Sequence, residues 1–439
     1  MALAVATPPV GAETGISPAR EFAPGQLLVK FEGERMGRAI ALGDGGGVQR
    51  TAQALRQNPK VVYAEPNHIA SAAATPFDPN DSGTLAASTD SSATVGDWAF
   101  KQWNFLSPEP NALAASSPGG IDAAGAWRNL IEAGRPGGAG VVVAVLDSGV
   151  AYRSLGAKFR RSPDFARDQF VPGFDFVDQD RIPLDESGHG THVAGTIAEK
   201  TDNGIGVTGL AYGAKLMPVR VLDRNGFGTA LNIARGIRFA IAKKAQVINM
   251  SFNFGCGKRV PLVDEALRDA YERGIVTVAS AGNLGSEACV SAPATGPRVI
   301  GVGGSTEGAC LGDYSLTGAA IDLVAPGGGV PQARCPSVAA RPIYQVTLRP
   351  GSTKAFAIPA DYVGTSMAAA HVSGVTALVL ASGRVNPLLG PAARVRFVTK
   401  RLRKTARDIG YPTTQQGAGL LDANAATGTG PRFSGPGEP

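Results

Sequence analysis

The sequence predicts an α/β protein: a doubly wound, mostly parallel sheet with helices on both faces, preceded by a small α+β unit. Two observations carry this reading. Short apolar runs rich in β-branched residues alternate with longer segments whose apolar residues recur at helical spacing, which is the pattern of repeated βα units. The chain is also 439 residues long, with 44% apolar and 18% charged residues, enough for one large domain and a small companion.

Five strands are legible in the main body: VVVAVL (141–146), QVINMS (246–251), IVTVAS (275–280), VIGVGG (299–304) and IDLVA (321–325). They are nearly continuous apolar runs, as strands covered on both faces should be. Between them, ALNIARGIRFAIAKKA (230–245) and VDEALRDAYERG (263–274) have helical periodicity, the second closing at Gly274. SMAAAHVSGVTALVLAS has no large charged residue and reads as a buried helix. Right-handed crossovers should connect these units, with function gathered at the carboxyl ends of the strands.

Nearer the N-terminus, GQLLVKFEG reads as a strand, TAQALRQNP as a helix and VVYAEPNHIA as a closing strand with a turn at Glu65-Pro66-Asn67. The expected boundaries are a tail over 1–24, the small unit over 25–72, a polar linker over 73–96, the main domain over 97–427 and a second tail over 428–439. The aromatic segment DWAFKQWNF (97–105) should dock on the main body.

Composition narrows the function classes. The net charge is +6, and the densest basic cluster, from Arg394 to Lys404, contains a single aromatic residue, Phe397. Its helical spacing suits a solvated helix face rather than a nucleic-acid surface. No apolar run is long enough to span a bilayer. The start, MALAVATPPVGAETG, has neither the basic flank nor the apolar length of a good secretory signal. Four cysteines, Cys256, Cys289, Cys310 and Cys335, stand far apart with no CxxC pair. An even number at wide spacing points to two disulfides and an oxidising compartment. Of the three pairings, 256–289 with 310–335 closes the shortest loops and is the one expected.

Three motifs carry the chemistry. Asp147 ends VVVAVLD and opens a turn through Gly149; His189 stands between Gly188 and Gly190 at the head of THVAGTIAE; Ser366 opens the Ala-rich helix in GTSMAAAHVSG. A serine hydroxyl needs a base to take its proton, and the base needs an acid to hold its tautomer. Singly, each has a plainer role, as a turn cap or a helix cap. Together they form an Asp, a His and a Ser in which the imidazole is expected to bridge the alcohol and the acid. Asn283, just beyond IVTVAS in ASAGN, could donate its amide to a developing oxyanion. A zinc site from His189, His192 and His371 is a weak alternative, because HxxH lacks the glutamate of HExxH. His192 and His371 read as packed core histidines.

The region from about Gln102 to Ala426 resembles the subtilisin-like serine proteases. The resemblance runs through the three motifs, NGIGVTGLAYGAKLMPVRVLD, INMSFNFG, ASAGN, APATGPRVIGVGG, VAPGG and the closing GAGLLDANAA. It implies a serine endopeptidase with Asp147 as orienting acid, His189 as general acid/base, Ser366 as nucleophile and Asn283 as oxyanion donor. No cofactor would be needed for the chemistry. Peptide or protein substrates would bind as an added strand along edges 222–228 and 251–255. That places Leu222, Gly226, Ser251, Phe252, Asn253, Phe254, Ala281 and Gly282 at the cleft. The P1 pocket would lie between 251–255, 279–283 and the loop near Pro293. Phe252, Asn253 and Phe254 stand where the family usually has a leucine and glycines, so the rings either narrow that pocket or turn into the core.

The N-terminal unit is similar to the inhibitory propeptides of the family, which implies a self-processing zymogen cut between about Ala70 and Gly96. The enzyme would then be secreted or periplasmic and monomeric. TDNGIGV (201–207) resembles a family calcium loop, with Asp202 and Asn203 as candidate ligands of a structural calcium. The stretch 330–359 exceeds a minimal family member and reads as a surface hairpin beside the cleft, without an assigned role.

Overall fold

The computed structural model describes residues 22–34, 37–42, 47–68, 77–85, 97–109, 116–285, 289–332, 335 and 340–428. The expected C-terminal tail (apart from Gly428), nearly all of the expected N-terminal tail and most of the expected linker lie outside them. The chain divides into two compact units, residues 1–75 and 76–439.

The first unit holds β1 (Phe22–Phe31), β2 (Arg38–Ala41), α1 (Val48–Leu55) and β3 (Val61–His68), with antiparallel strand order β2-β1-β3. Leu27, Val29, Val48, Ala52 and Ala64 form its core. The expected turn at Glu65-Pro66-Asn67 is absent: β3 runs straight through it, with Glu65 opposite Leu28 and Pro66 opposite Leu27. β3 is an edge strand, where a residue lacking an N–H can face away from the ladder. β2 has no counterpart in the reading of the sequence, because four residues beside a glycine-rich run give too short a pattern.

The second unit opens with α2 (Trp98–Lys101) and α3 (Ala123–Glu132), then β4 (Val142–Asp147), β5 (Phe174–Asp175), α4 (His189–Ala198) and β6 (Lys215–Arg220). It continues through α5 (Ala230–Ala242), β7 (Val247–Met250), α6 (Pro261–Glu272), β8 (Val276–Ser280), β9 (Ile300–Ser305) and β10 (Leu323–Pro326). A two-stranded hairpin, β11 (Thr347–Leu348) and β12 (Phe356–Ala357), precedes α7 (Thr365–Ala381), α8 (Pro391–Thr405), α9 (Thr413–Gln416) and α10 (Ala423–Gly428). The seven-stranded sheet is parallel, in the order β10-β9-β8-β7-β4-β6-β5.

Alternate residues of one strand feed different cores. Val143 and Val145 pack with α3, α4, α7 and α8, whereas Ala144 and Leu146 pack with α5 and α6. That is the doubly wound arrangement expected from the runs. α7 is buried from Thr365 to Val379, as a helix apolar all round must be. α8 buries Val395, Val398 and Leu402 and leaves its cations on the other face. Trp98, Trp103 and Trp127 are fully buried, each indole donating to a backbone carbonyl, of Pro79, Pro342 and Leu210 respectively.

The segment 77–85 differs from the linker expected of its composition. Phe77 packs on Trp127 and Tyr212, and Asp81 is fully buried. Gly83 donates to Gly206 and Gly206 to Thr84. Its polar side chains find backbone donors in the 201–207 loop, a partner that composition does not reveal.

Candidate active site

β4 has β7 on one side and β6 on the other, and the chain crosses from one to the other around it, so its carboxyl end is the switch point of the sheet. Asp147 is the last residue of β4 and is fully buried. Its Oδ1 accepts from the Ser148 N–H at 2.7 Å and pairs with His189 Nδ1 at 2.8 Å. His189 is the first residue of α4, held against β4 because Gly190 follows it. A Cβ at 190 would lie 2.1 Å from the Gly149 carbonyl and 3.1 Å from Asp147 Oδ1. Burial works to lower the imidazole pKa, but the Asp147 charge, its hydrogen bond and the Asp185 charge together raise it above the ordinary value.

Asp185 was missed by the reading of the sequence. Its buried carboxylate accepts from Ser148 Oγ, the N–H groups of Ser187 and Gly188, and both N–H and Oγ1 of Thr191. Ser148 Oγ accepts from the Gly190 N–H at 2.9 Å. The start of α4 is thus tied to the end of β4 by two carboxylates. The available signal was an acidic residue four positions before a glycine-flanked histidine.

Ser366 is the second residue of α7, against the end of β7. Its Oγ donates to the Ser251 carbonyl at 3.1 Å, while Ser251 Oγ donates to the Ser366 carbonyl at 2.9 Å. Asn249 and Ser373 extend this buried chain, at 3.0 and 2.9 Å. Among the described residues no hydrogen bond joins Ser366 Oγ to the imidazole, so the bridge expected of His189 is made to the acid alone. A hydroxyl on one rotatable bond takes the nearest carbonyl when no substrate competes. Ser366, His189 and Asn283 nevertheless line one cavity of about 310 Å³.

Asn283 is oriented by its oxygen. Oδ1 accepts from Thr365 N–H at 2.9 Å and Thr365 Oγ1 at 2.8 Å, which turns the amide NH₂ the other way. Gly364 is needed here, since a Cβ would stand 2.8 Å from Asn283 Nδ2 and its φ is +148°. Thr365 Oγ1 also accepts from the Gly282 N–H at 3.1 Å. Thr365 is a second residue that the reading of the sequence missed, lying one position before the serine.

The expected substrate-contact residues divide. Ser251, Ala281 and Gly282 are buried beside Ser366 and Thr365. Asn253 is exposed on its edge, and Gly226 has φ +81° beside the 74% exposed Phe227. Leu222 does not present its side chain to a cleft: it is 5% exposed and packs in the core with α5, its apolar side chain having a better partner there. The Phe252 and Phe254 rings are half-buried against the same core, 6.4 Å apart edge to face. Cys256–Cys289 and Cys310–Cys335 are bonded, the pairing expected from loop length. The first joins the end of the 251–255 edge to the 289–292 segment, where Phe254 donates to the Ala292 carbonyl.

His192 and His371 are packed histidines. His192 stacks on Tyr362 at 4.0 Å and hydrogen bonds to the Ile343 carbonyl; His371 hydrogen bonds to Met367 and Asn104. Burial lowers their pKa values to about 3 and about 4.

Next to the 201–207 loop, burial pushes the Asp164 carboxyl up to about 8 and that of Asp81 up to about 6; the Asp81 charge raises Asp164 further, and the Asp202 charge raises Asp81. Asn203 donates from Nδ2 to Asp164 and from its N–H to Asp81. Asp202 departs from expectation: it is exposed, and among the described residues its carboxylate accepts only the Asn80 N–H, at 3.3 Å. Its φ of +62° belongs to a turn whose N–H, rather than its side chain, faces Asp81. Among the described residues no three His, Cys, Asp or Glu side chains converge to hold an ion.

A family model described as "Subtilase family" matches residues 138–420. The chain is 33% identical over 341 residues to a thermophilic serine proteinase of Bacillus sp. (strain AK1), covering 78% of this chain and 68% of the relative. It is 32% identical over 447 residues to an extracellular protease of Xanthomonas campestris pv. campestris, covering 95% of this chain and 66% of that protein. The chain therefore spans about two thirds of the length of these relatives. A solved structure of proteases from Pseudoalteromonas arctica superposes with a TM-score of 0.61 at 29% identity, covering 80% of this chain and 99% of the other.

Proposed function

The chain belongs to the subtilase family and is a subtilisin-like serine protease, and from that premise we propose a secreted endopeptidase that works through an acyl-enzyme on Ser366 and is made as a self-processing zymogen. The single observation that carries the mechanism is the pairing of buried Asp147 with His189, whose part-exposed ring lines the same cavity as Ser366 and the oriented amide of Asn283. On substrate binding Ser366 Oγ turns from the Ser251 carbonyl to His189 Nε2. It attacks the scissile carbonyl carbon while its proton passes to the imidazole. Asn283 Nδ2 donates to the resulting oxyanion, and the carbon–nitrogen bond then breaks as His189 returns the proton to the leaving amine. Water reverses the sequence and frees the serine. No cofactor takes part. A fluorophosphonate probe should label Ser366 in the processed enzyme and leave Ser366→Ala unlabelled; labelling of that variant would refute the assignment.

His189 must be neutral to accept the proton. Because its pKa is raised, kcat/KM should climb with pH through a midpoint above the ordinary histidine value of 6.5, and fall away below it. A pH–rate profile with its acid limb at or below 6.5 would contradict this.

Secretion is supported by the extracellular relative and by two disulfides, which persist in oxidising compartments. The zymogen reading is supported by the separate N-terminal unit, and by a match to that relative over 95% of the chain, which must include most of residues 25–72. The hydrogen bonds of residues 77–85 to the 201–207 loop support a cut in the early part of the expected 70–96 window, before Phe77. Sequencing the new N-terminus checks this, and full-length Ser366→Ala should stay unprocessed.

A structural calcium fits the second unit. Two carboxylates whose charge burial disfavours, the Asp164 one raised further by Asp81, with Asn203 beside them, are the donor chemistry of a divalent cation that takes oxygen ligands. Asp81, Asp164 and Asn203 would hold it, and Asp202 would not. Chelator should lower the melting midpoint by several degrees, and Asp164→Asn should abolish the difference. Equal midpoints with and without chelator would rule the ion out.

A further inference from the structure

The hairpin that had no role in the sequence forms one wall of the catalytic cavity. Leu348 from β11, Pro350 from its turn, and Pro359, Asp361 and Val363 from the return line the space into which His189 and Ser366 face. The wall is anchored rather than draped. Ile343, Gln345, Val346 and Thr347 are fully buried, and Thr347 Oγ1 donates to the Gly188 carbonyl beside His189. Thr353 at the tip receives and returns hydrogen bonds with the 158–160 segment, at 3.0 and 2.5 Å. Tyr362 is clamped by its stack on His192.

The direction of the substrate follows from what this cavity lacks. The P1 pocket belongs to the acyl half of the substrate, and apart from Asn283 none of the segments expected to form it (251–255 and 279–283), nor the 222–228 edge, contributes to this cavity. The leaving amine must depart past the imidazole that protonates it, on this side. Asp361 is the only carboxylate lining the space; it is exposed and has no ion pair among the described residues. The hairpin's own cations, Arg349 and Lys354, are not among the lining groups. The rest of the hairpin wall is apolar apart from the Tyr362 hydroxyl. Lysine and arginine have the matching shape, a long apolar stem with a cation at its end.

Resting on the acyl-enzyme reading above, we propose that this cavity is a leaving-group subsite that selects lysine or arginine on the carboxyl side of the scissile bond, the stem against Leu348, Pro350 and Pro359 and the cation at Asp361. Exposed pairing is screened, so the selectivity is moderate and falls with ionic strength.

The test compares cleavage of peptides identical up to the scissile bond, with lysine, norleucine or glutamate in the first two leaving positions. Wild-type processed enzyme should favour lysine over norleucine by about two- to fivefold in kcat/KM, with a smaller ratio at high salt. Asp361→Asn should bring that ratio close to one, and Asp361→Lys should reverse the order so that glutamate is favoured, which a merely structural role would not do. A wild-type ratio near one, or an unaltered ratio in Asp361→Asn, overturns the proposal. A peptide p-nitroanilide, which has no residue beyond the scissile bond, separates the two levels. If wild-type enzyme turns it over but shows no lysine preference, the subsite alone fails; if it does not turn it over, the peptidase reading fails and the subsite with it.

Discussion

Ser366→Ala should lose about 10⁶-fold in kcat, the magnitude found for the same change in subtilisin, a member of the same family. The reason is specific to the geometry. His189 is held by Asp147 at 2.8 Å and by a helix start fixed through Asp185, so the base is already in place and only the nucleophile is removed. His189→Ala should lose about as much, and the double variant no more than either, because base and nucleophile act as one unit. Burst and steady-state kinetics on a peptide substrate would show it. If the double variant were slower by the product of the two single effects, the groups would be acting independently and the shared proton transfer would be wrong.

Asn283→Ala should lower kcat by about 10²–10³-fold with little change in KM, again a magnitude taken from an oxyanion donor of subtilisin. An interaction made only in the transition state has that kinetic signature. The structure adds a second variant. Thr365 fixes Asn283 through two hydrogen bonds to Oδ1, one of them from its side chain at 2.8 Å. Thr365→Val removes the hydroxyl and keeps the shape, so it should lower kcat by a smaller factor, about tenfold. Adding Thr365→Val to Asn283→Ala should then cost little more. Equal losses from both substitutions in both backgrounds would mean that Thr365 acts on something other than the amide.

The sheet was legible because its strands are buried on both faces. Apolar runs such as VVVAVL and IVTVAS admit few other readings, and their ends located Asp147 and Asn283 in advance. β6 escaped because Pro218 interrupts it and Lys215 and Arg220 flank it. The structure accommodates that proline where β5 has not yet begun to pair, since β5 meets β6 only from Val219. Arg220 is then buried among Asp175, Asp178 and Glu186, a set of ion partners that no local pattern announces. The residues that orient the site were less legible than those that perform the chemistry. Asp185 and Thr365 matter through contacts made across the fold, and Asp81 lies 121 residues from the Asp202 N–H that it receives. Residues 77–85 misled for the same reason, since polar composition records what a segment lacks and says nothing about what will receive it.

All three indoles of the chain, at positions 98, 103 and 127, are sealed in one cluster of the second unit, and the first unit has none. Intrinsic fluorescence is therefore a selective gauge. Tryptophan emission reports on the larger body as water reaches that cluster, because the smaller unit contributes no indole to the signal.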